Sequence, residues 1–192
     1  MLRYALIGAF MLSSAAALAD GPSYSRIQAS YQEVDLDVGG GVDVDGDGFG
    51  VAGSAAIGDN WYLFADYSTA DLESVVDLTV LTIGGGWHTA ISTNTDFFAE
   101  LGFADGEIDV SGFGSEDDSG YSIAVGIRSM VSEQLELYGS LGQVDFDDFG
   151  DGTNVTAGLW YTASGNLAVG LGATFDDDIT RYGVGVRLYF DK

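Results

Sequence analysis

The sequence predicts an all-β fold: a transmembrane antiparallel up-and-down β-barrel of about ten strands, with eight as the alternative, and with periplasmic chain ends. Between Tyr24 and Phe190, segments of about ten residues recur in which every second side chain is apolar. After Ala19, Gly, Asp, Ser or Thr interrupts every apolar run before it reaches the length of a transmembrane helix. Acidic connections alternate with short, nearly neutral turns, as expected when successive strands cross a membrane in opposite directions.

The last predicted strand shows the alternation most clearly. Its apolar face is formed by Tyr182, Val184, Val186, Leu188 and Phe190. Two other stretches are less regular, because their apolar phase shifts by one residue, near Gln32 in the first strand and near Val80 in the fourth. We interpret each shift as a β-bulge or as an early start of the following loop.

Residues 1–19 have the layout of a cleavable secretory signal peptide. Arg3 is followed by an apolar stretch, a Ser/Ala segment and Ala17-Leu18-Ala19. We therefore predict a signal peptide at 1–19 and one outer-membrane barrel domain at 20–192. The chain contains no cysteine, so its stability after export must come from packing and hydrogen bonding.

Acidic residues dominate the charge of the chain. The formal net charge is −24, which excludes nucleic acid as a partner. The acids gather in five connections that the strand directions place on one side of the membrane, around residues 39–48, 71–77, 105–118, 145–152 and 176–178. These loops form an anionic crown, which keeps the exposed face soluble and attracts divalent ions or cationic partners.

One acidic segment imitates a metal-binding motif. Asp43, Asp45 and Asp47 repeat the start of a helix-loop-helix calcium loop, but Ser54 stands at the twelfth position, where glutamate is required. That position also falls within a predicted strand, so the helical motif is rejected. Asp/Gly turn chemistry explains these residues equally well. No cofactor is expected beyond weak Ca²⁺ or Mg²⁺ binding by the loops.

Aromatic residues are predicted to mark the inner membrane interface. Trp61, Trp87, Trp160 and Phe190 fall at the short-turn end of their strands. Side chains with an apolar body and a polar edge favour this position in outer-membrane barrels. We therefore assign these four residues to the periplasmic aromatic girdle.

Charged residues on the polar phase are predicted to face the lumen. The arginines in these positions are Arg26, Arg128, Arg181 and Arg187, and the carboxylates available to pair with them are Asp66, Glu100 and Glu136. A buried arginine needs such a partner, so we expect an internal cluster of salt bridges. For Arg26 and Arg181, solvation near a barrel mouth is the alternative.

Many of the other inward positions carry glycine. The sequence places Gly84, Gly86, Gly126, Gly142, Gly158, Gly170, Gly172, Gly183 and Gly185 on this phase. These small residues predict spare room in the lumen, enough for a file of water or a narrow pore.

The only histidine is predicted to be structural. His88 lies near the short-turn end of its strand, away from the acidic loops. No nucleophile, base and orienting group converge around it in the sequence pattern. We therefore expect no enzymatic activity.

Three segments resemble small proteobacterial outer-membrane barrel proteins: residues 50–54, 60–68 and 182–190. The chain looks most similar to the roughly ten-stranded barrels once described as secreted quorum factors, and more distantly to OmpA-like and OmpX-like barrels. The resemblance implies that the barrel-assembly machinery recognises the last strand, with Gly185, Leu188 and Phe190 at the signal positions. Here Asp191 and Lys192 follow the aromatic residue at which most members stop.

These observations predict a non-enzymatic outer-membrane barrel with acidic extracellular loops that contributes to envelope structure and surface properties. The expected partners are outer-membrane lipids, lipopolysaccharide and the assembly machinery. A narrow pore for small solutes or ions is the alternative function, and a surface adhesin is the third.

Overall fold

The structure of the protein is a computed structural model that describes residues 21–37, 43–73, 75–177 and 179–190. The predicted signal peptide and the Asp191-Lys192 extension lie outside these residues. The strands are β1 Arg26–Asp37, β2 Asp43–Ile57, β3 Trp61–Leu72, β4 Val76–Ser92, β5 Thr95–Val110, β6 Gly114–Met130, β7 Leu135–Phe146, β8 Gly150–Ser164, β9 Leu167–Phe175 and β10 Ile179–Tyr189.

The ten strands form a closed antiparallel barrel in sequence order. Each strand pairs with its neighbours along the chain, and β1 pairs with β10 from Arg26↔Tyr189 to Leu36↔Ile179. The predicted fold class is therefore confirmed, with ten strands and not eight. Closure leaves no free strand edge, which matters because unpaired backbone groups cost several kcal/mol each in lipid. Within the described ranges, no helix is both long and apolar enough to cross a membrane.

Short turns join the strands at the periplasmic end. Gly58 between β2 and β3 has φ 69°, and Gly165 between β8 and β9 has φ 54°. Only glycine adopts this left-handed region without a steric cost, so these residues allow the chain to reverse tightly. Register shifts occur only near these turns among the described pairs, at Ala90/Ser92 and at Thr162/Ser164.

The shifts of apolar phase in β1 and β4 are not bulges. Pairing of β1 with β2 and of β3 with β4 continues without a break through Gln32 and Val80. Even-numbered residues of β1 face inward along the whole strand, so Val34 is buried while Glu33 and Asp35 are exposed. Instead, the polarity of the two faces is exchanged. Beyond the membrane the outward face meets water and carries polar side chains, while the inward face carries apolar ones.

Much of the acidic sequence that was predicted as loop is strand. The segments around 71–77 and 105–118 lie mostly in the ends of β3, β4, β5 and β6, which continue past the membrane. The inward apolar side chains of β3 and β4 form a small core there with those of β1, β2 and β10. Its buried members are Val34, Ala70 and Leu72, packed against Leu36, Val44, Val76, Leu78 and Ile179.

Candidate functional site in the barrel lumen

Aromatic rings occupy the space that the inward glycines leave. A Cβ atom added to Gly86 would overlap the ring of Tyr62, and one added to Gly126 would lie 2.6 Å from Phe98 Cζ. The ring of Tyr138 covers Gly158 in the same way, at 2.6 Å from its Cε1. The expectation of spare room at these glycines is therefore wrong. Glycine is required there so that rings from neighbouring strands can lie against the wall.

The remaining predicted glycines divide into two groups. A Cβ atom on Gly84 would lie 2.7 Å from Phe64 Cζ, one on Gly170 2.5 Å from the Trp160 ring, and one on Gly172 2.7 Å from Tyr138 Oη. Trp160 Cη2 is 3.2 Å from the Cβ position of Gly185. Gly142 faces the Asn154 side chain at 2.9 Å, and the nearest atom to Gly183 is 3.4 Å away. Gly170, Gly172, Gly183 and Gly185 nevertheless border a cavity of about 120 Å³ that the rings leave free.

A single carboxylate, Glu136, organises the charges at the periplasmic end of the lumen. Arg128 Nε donates to Glu136 Oε1 at 2.8 Å, and Arg187 Nη1 donates to the same oxygen at 3.3 Å. Tyr189 Oη donates to Glu136 Oε2 at 2.9 Å. Arg26 Nη1 lies 4.0 Å from Oε1. Glu136 is 1% exposed, so three guanidinium groups share one buried carboxylate.

Arg187, on β10, connects this cluster to β1 and to β8. Its Nη2 and Nε donate to Gln28 Oε1 at 2.7 and 3.0 Å. Its Cζ lies 3.9 Å from the centroid of the Trp160 ring. The planar guanidinium thus combines hydrogen bonds at its edge with an aromatic contact on its face, which lysine could not reproduce.

The predicted ion pairs of Asp66 and Glu100 are not formed. Among the described residues, no arginine nitrogen lies within 4.0 Å of either carboxylate, and Arg181 has no acidic partner at that distance. Glu100 Oε1 instead accepts a hydrogen bond from Tyr62 Oη at 2.8 Å. The reason is the height of Asp66 and Glu100 in the barrel. Arg26, Arg128 and Arg187 converge on Glu136, which lies nearer the periplasmic end.

The segment before β1 closes the periplasmic mouth. Tyr24 is buried and stacks on His88, with ring centroids 3.8 Å apart and an interplanar angle of 16°. Arg128 Cζ lies 4.5 Å from the centroid of the same Tyr24 ring, and His88 Nδ1 lies 3.0 Å from Asp96 Oδ2. Sequence reasoning missed Tyr24, although it shares the inward phase of Arg26.

The predicted girdle residues separate into two environments. Trp61 and Phe190 face outward and are 60% and 68% exposed in the absence of lipid, and Trp87 pairs directly with Trp61. Trp160 instead points into the lumen and is 5% exposed. The assignment of Trp160 to the girdle is wrong. That prediction used the position of Trp160 along the strand but not its phase, which is opposite to that of the outward-facing Tyr161.

A second aromatic band lies on the outward face nearer the outside. Phe49 and Tyr67 pack with ring centroids 6.3 Å apart, and Phe103 meets Tyr121 edge-on at 6.1 Å. Phe175 and Tyr182 form a similar edge-on pair at 6.2 Å. This outer girdle marks the height at which the strands leave the membrane.

Carboxylates face one another across strands beyond the outer girdle. They form the directly opposed pairs Asp35↔Asp45, Glu33↔Asp47, Asp47↔Asp71, Asp71↔Asp77 and Asp77↔Asp109. Asp45 and Asp47 therefore lie on the outer face of β2, which Asp43 begins, and not in a chelating loop. No group of three or more metal-ligating side chains occurs within the residues that the structure covers.

Asp118 organises one of the extracellular connections. It lies in β6 beyond the outer girdle, and its Oδ2 accepts hydrogen bonds from the N–H groups of Asp148 and Phe149 at 2.7 and 2.8 Å. Ser119 N donates to Oδ1 at 2.8 Å. Burial acts to raise the pKa of Asp118, but the N–H donors of Phe149, Asp148 and Ser119 outweigh it and hold the pKa below its usual range.

Replacing Asp118 by asparagine is expected to loosen the β7–β8 connection. One charge-assisted acceptor is lost, so amide hydrogen exchange at Asp148 and Phe149 should accelerate by about tenfold at pH 7. Because the folded pKa is lowered, the wild-type protection is complete above the ordinary carboxyl pKa and is lost as the pH falls through the folded value. The exposed neighbour Asp117 provides the control, as Asp117→Asn. Equal exchange in both variants would contradict the assigned role.

The fold and its surface together define a class of protein. A closed antiparallel barrel with an apolar outward band, two aromatic girdles and a polar, charged lumen is an integral outer-membrane β-barrel. The chain belongs to the outer membrane protein beta-barrel domain family, whose model matches residues 4–175. The protein is accordingly located in the bacterial outer membrane.

Solved structures with a similar fold include several small barrels. The translocator domain of the autotransporter NalP from Neisseria meningitidis is 11% identical, with a TM-score of 0.49 over 88% of this chain and 90% of that one. OprG from Pseudomonas aeruginosa is 12% identical, with a TM-score of 0.47 over 92% of this chain and 100% of that one. The attachment invasion locus protein Ail of Yersinia pestis is 11% identical, with a TM-score of 0.45 over 86% and 97%. No curated protein sequence matches the chain.

Proposed function

We propose that this barrel is a non-enzymatic structural and surface component of the outer membrane, closed to solutes in its resting state. The observation that carries the proposal is the filled periplasmic end of the lumen. Tyr24, Tyr62 and Phe98 form one buried cluster there, and Trp160 and Tyr189 belong to another. Buried charged groups between these clusters are held by Glu136. An open pore would require several of these contacts to break together.

Electrical recording separates this function from that of a pore. Refolded protein in a planar lipid bilayer is expected to show no channel steps, because the mouth is occupied by side chains bonded to the wall. The double variant Tyr24→Ala/Tyr62→Ala removes two of the closing rings and should produce steps. The control Tyr161→Ala removes a ring from the outward face and should remain silent. Uniform steps from the wild-type protein would overturn the proposal.

A narrow pore remains the second candidate, and a specific observation favours it. Above the closed mouth the lumen contains a polar cavity of about 340 Å³, lined among others by Gln28, Ser122 and Asn154. A solute could enter this space from outside without crossing the membrane. Transport would then depend on a movement of the segment that contains Tyr24.

Lipids and lipopolysaccharide are the proposed surroundings of the barrel. The two girdles suit the membrane interfaces, and the opposed carboxylates just above the outer girdle lie where lipid phosphates would surround the barrel. Like charges directly opposite each other destabilise a sheet, so we propose that weakly bound Ca²⁺ or Mg²⁺ relieves this repulsion and bridges to phosphate. An unfolding midpoint in lipopolysaccharide-containing vesicles that is the same in MgCl₂ and in EDTA would refute this.

Adhesion is the third candidate and rests on one hairpin. Strands β5 and β6 continue beyond the Phe103↔Tyr121 pair to Val110↔Gly114, which at about 3.3 Å per residue extends roughly 20 Å. Phe113 at its tip is 92% exposed. Unchanged attachment to matrix-coated surfaces after Phe113→Ser would remove this candidate.

The barrel-assembly machinery is the proposed partner during insertion. Leu188 and Phe190 face outward at the end of the chain and Gly185 faces the lumen, so the apolar signal side chains are accessible before β10 pairs with β1. If Phe190→Ala is inserted as fast as the wild type by purified machinery, this assignment fails.

A further inference from the structure

Two adjoining cavities occupy the middle of the lumen. The larger, of about 340 Å³, lies between β1 and β8 across the barrel, and the smaller, of about 120 Å³, lies along β8 to β10. Gln28 lines both cavities, so they adjoin at this side chain. The larger volume alone is within the range of sites for small molecules, which begins at about 300 Å³.

The cavities present charges of both signs. Arg26, Asp66 and Glu100 line the larger cavity, and Arg181 lines the smaller one. Neutral hydrogen-bonding groups fill much of the remaining wall: Ser30, Gln32, Ser54, Thr82, Ser122 and Asn154. A purely anionic or purely cationic solute would meet repulsion from one set of these charges.

The charges facing the cavities are not satisfied by one another. In the described part of the chain, Asp66 and Arg181 have no oppositely charged partner within 4.0 Å, and the Asp66 side chain is exposed to the lumen. The hydroxyl of Ser54 is buried without a hydrogen-bond partner among the described residues. Charges of opposite sign that stay apart across a polar cavity provide two separate points of attraction for a bound molecule.

We propose that the lumen binds a small zwitterionic solute, with its ammonium group against Asp66 and Glu100 and its carboxylate directed to Arg181. The positions of the two residues in the lumen support the separation of the two subsites. Asp66 on β3 lines the larger cavity and Arg181 on β10 lines the smaller one, so the two subsites lie in separate cavities that adjoin at Gln28. Binding does not require the lumen to conduct.

A set of three matched probes tests the proposal. 4-Aminobutyrate carries both charged groups, butylamine carries only the ammonium and butyrate only the carboxylate. Refolded full-length barrel in detergent micelles should bind 4-aminobutyrate about tenfold or more tightly than either single-charge probe, as measured by NMR chemical-shift titration. No saturable binding, or equal affinities for the three probes, would overturn the proposal.

Variants assign each subsite. Asp66→Asn should weaken 4-aminobutyrate and butylamine binding by about tenfold but leave butyrate unchanged, whereas Arg181→Gln should weaken 4-aminobutyrate and butyrate but not butylamine. The control Asp177→Asn changes an exposed carboxylate outside the lumen and should leave all three affinities unchanged. Each variant is first shown to be folded by its mobility on an unheated gel. Identical affinities in Asp66→Asn and in the control would contradict the proposed ammonium subsite.

Discussion

Glu136→Gln is expected to lower the free energy of unfolding by about 3–5 kcal/mol, because removing one partner of a buried ion pair leaves uncompensated charge. The carboxylate is the shared acceptor for Arg128, Arg187 and Tyr189. Glutamine keeps a similar shape but carries no negative charge, so three guanidinium groups would remain close together without a counterion. The measurement is urea unfolding in lipid vesicles, followed by tryptophan fluorescence.

Glu133→Gln is the matched control for this variant. Glu133 lies in the exposed turn between β6 and β7, three residues from Glu136, and surface substitutions of this kind usually change stability by about 0.5 kcal/mol or less. If Glu136→Gln does not fold at all, the absence of a folded band on an unheated gel shows the same loss of stability. Equal unfolding midpoints for the two variants would show that Glu136 does not organise the cluster.

Gly86→Ala is the second large perturbation. The added methyl group would overlap the ring of Tyr62, and the ring is not free to move. Its hydroxyl donates to Glu100 at 2.8 Å, and its face packs on Tyr24 with ring centroids 4.7 Å apart. Overpacking of this kind costs about 1–3 kcal/mol. We expect a corresponding fall in the urea midpoint.

The adjacent glycine provides the control. Gly85 faces outward, and the nearest atom to its added Cβ is 3.9 Å away, so Gly85→Ala should unfold close to the wild-type midpoint. The double variant Gly86→Ala/Tyr62→Leu should recover part of the stability, because the smaller side chain vacates the space above residue 86. A Gly86→Ala protein as stable as Gly85→Ala would show that the Tyr62 ring is not held in place.

The strand period predicted the barrel well because lipid imposes one rule on every crossing. Outward side chains must be apolar, and this produces the regular alternation of β10. Beyond the membrane the outward side chains are polar and the inward ones apolar, although the backbone pairing continues unchanged. The sequence pattern around Gln32 shows only a shift of phase, which a bulge would also produce. The backbone register was needed to separate these explanations.

The lumen was harder to predict than the wall. Phase alone placed four arginines inward, but it gave no information on which carboxylate they share. Glu136 serves three of them because its height matches theirs, whereas Asp66 lies higher and faces a cavity. The glycines misled in part: Gly170, Gly172, Gly183 and Gly185 border a cavity, but an absent side chain does not show which neighbouring ring occupies the rest of the space. Tyr62 and Trp160 fill it here.

Because polar and apolar side chains exchange faces, the outward face of one strand contacts lipid in its lower part and water in its upper part. In the lower part of β1, Ile27 faces lipid and Gln28 faces the wet interior, while Glu33 and Val34 stand in the opposite relation above. The upper rim is therefore built like a small water-soluble β-sheet protein, joined end to end to a membrane protein. Whether a polar or an apolar residue is tolerated at an inward position thus depends on its height in the barrel.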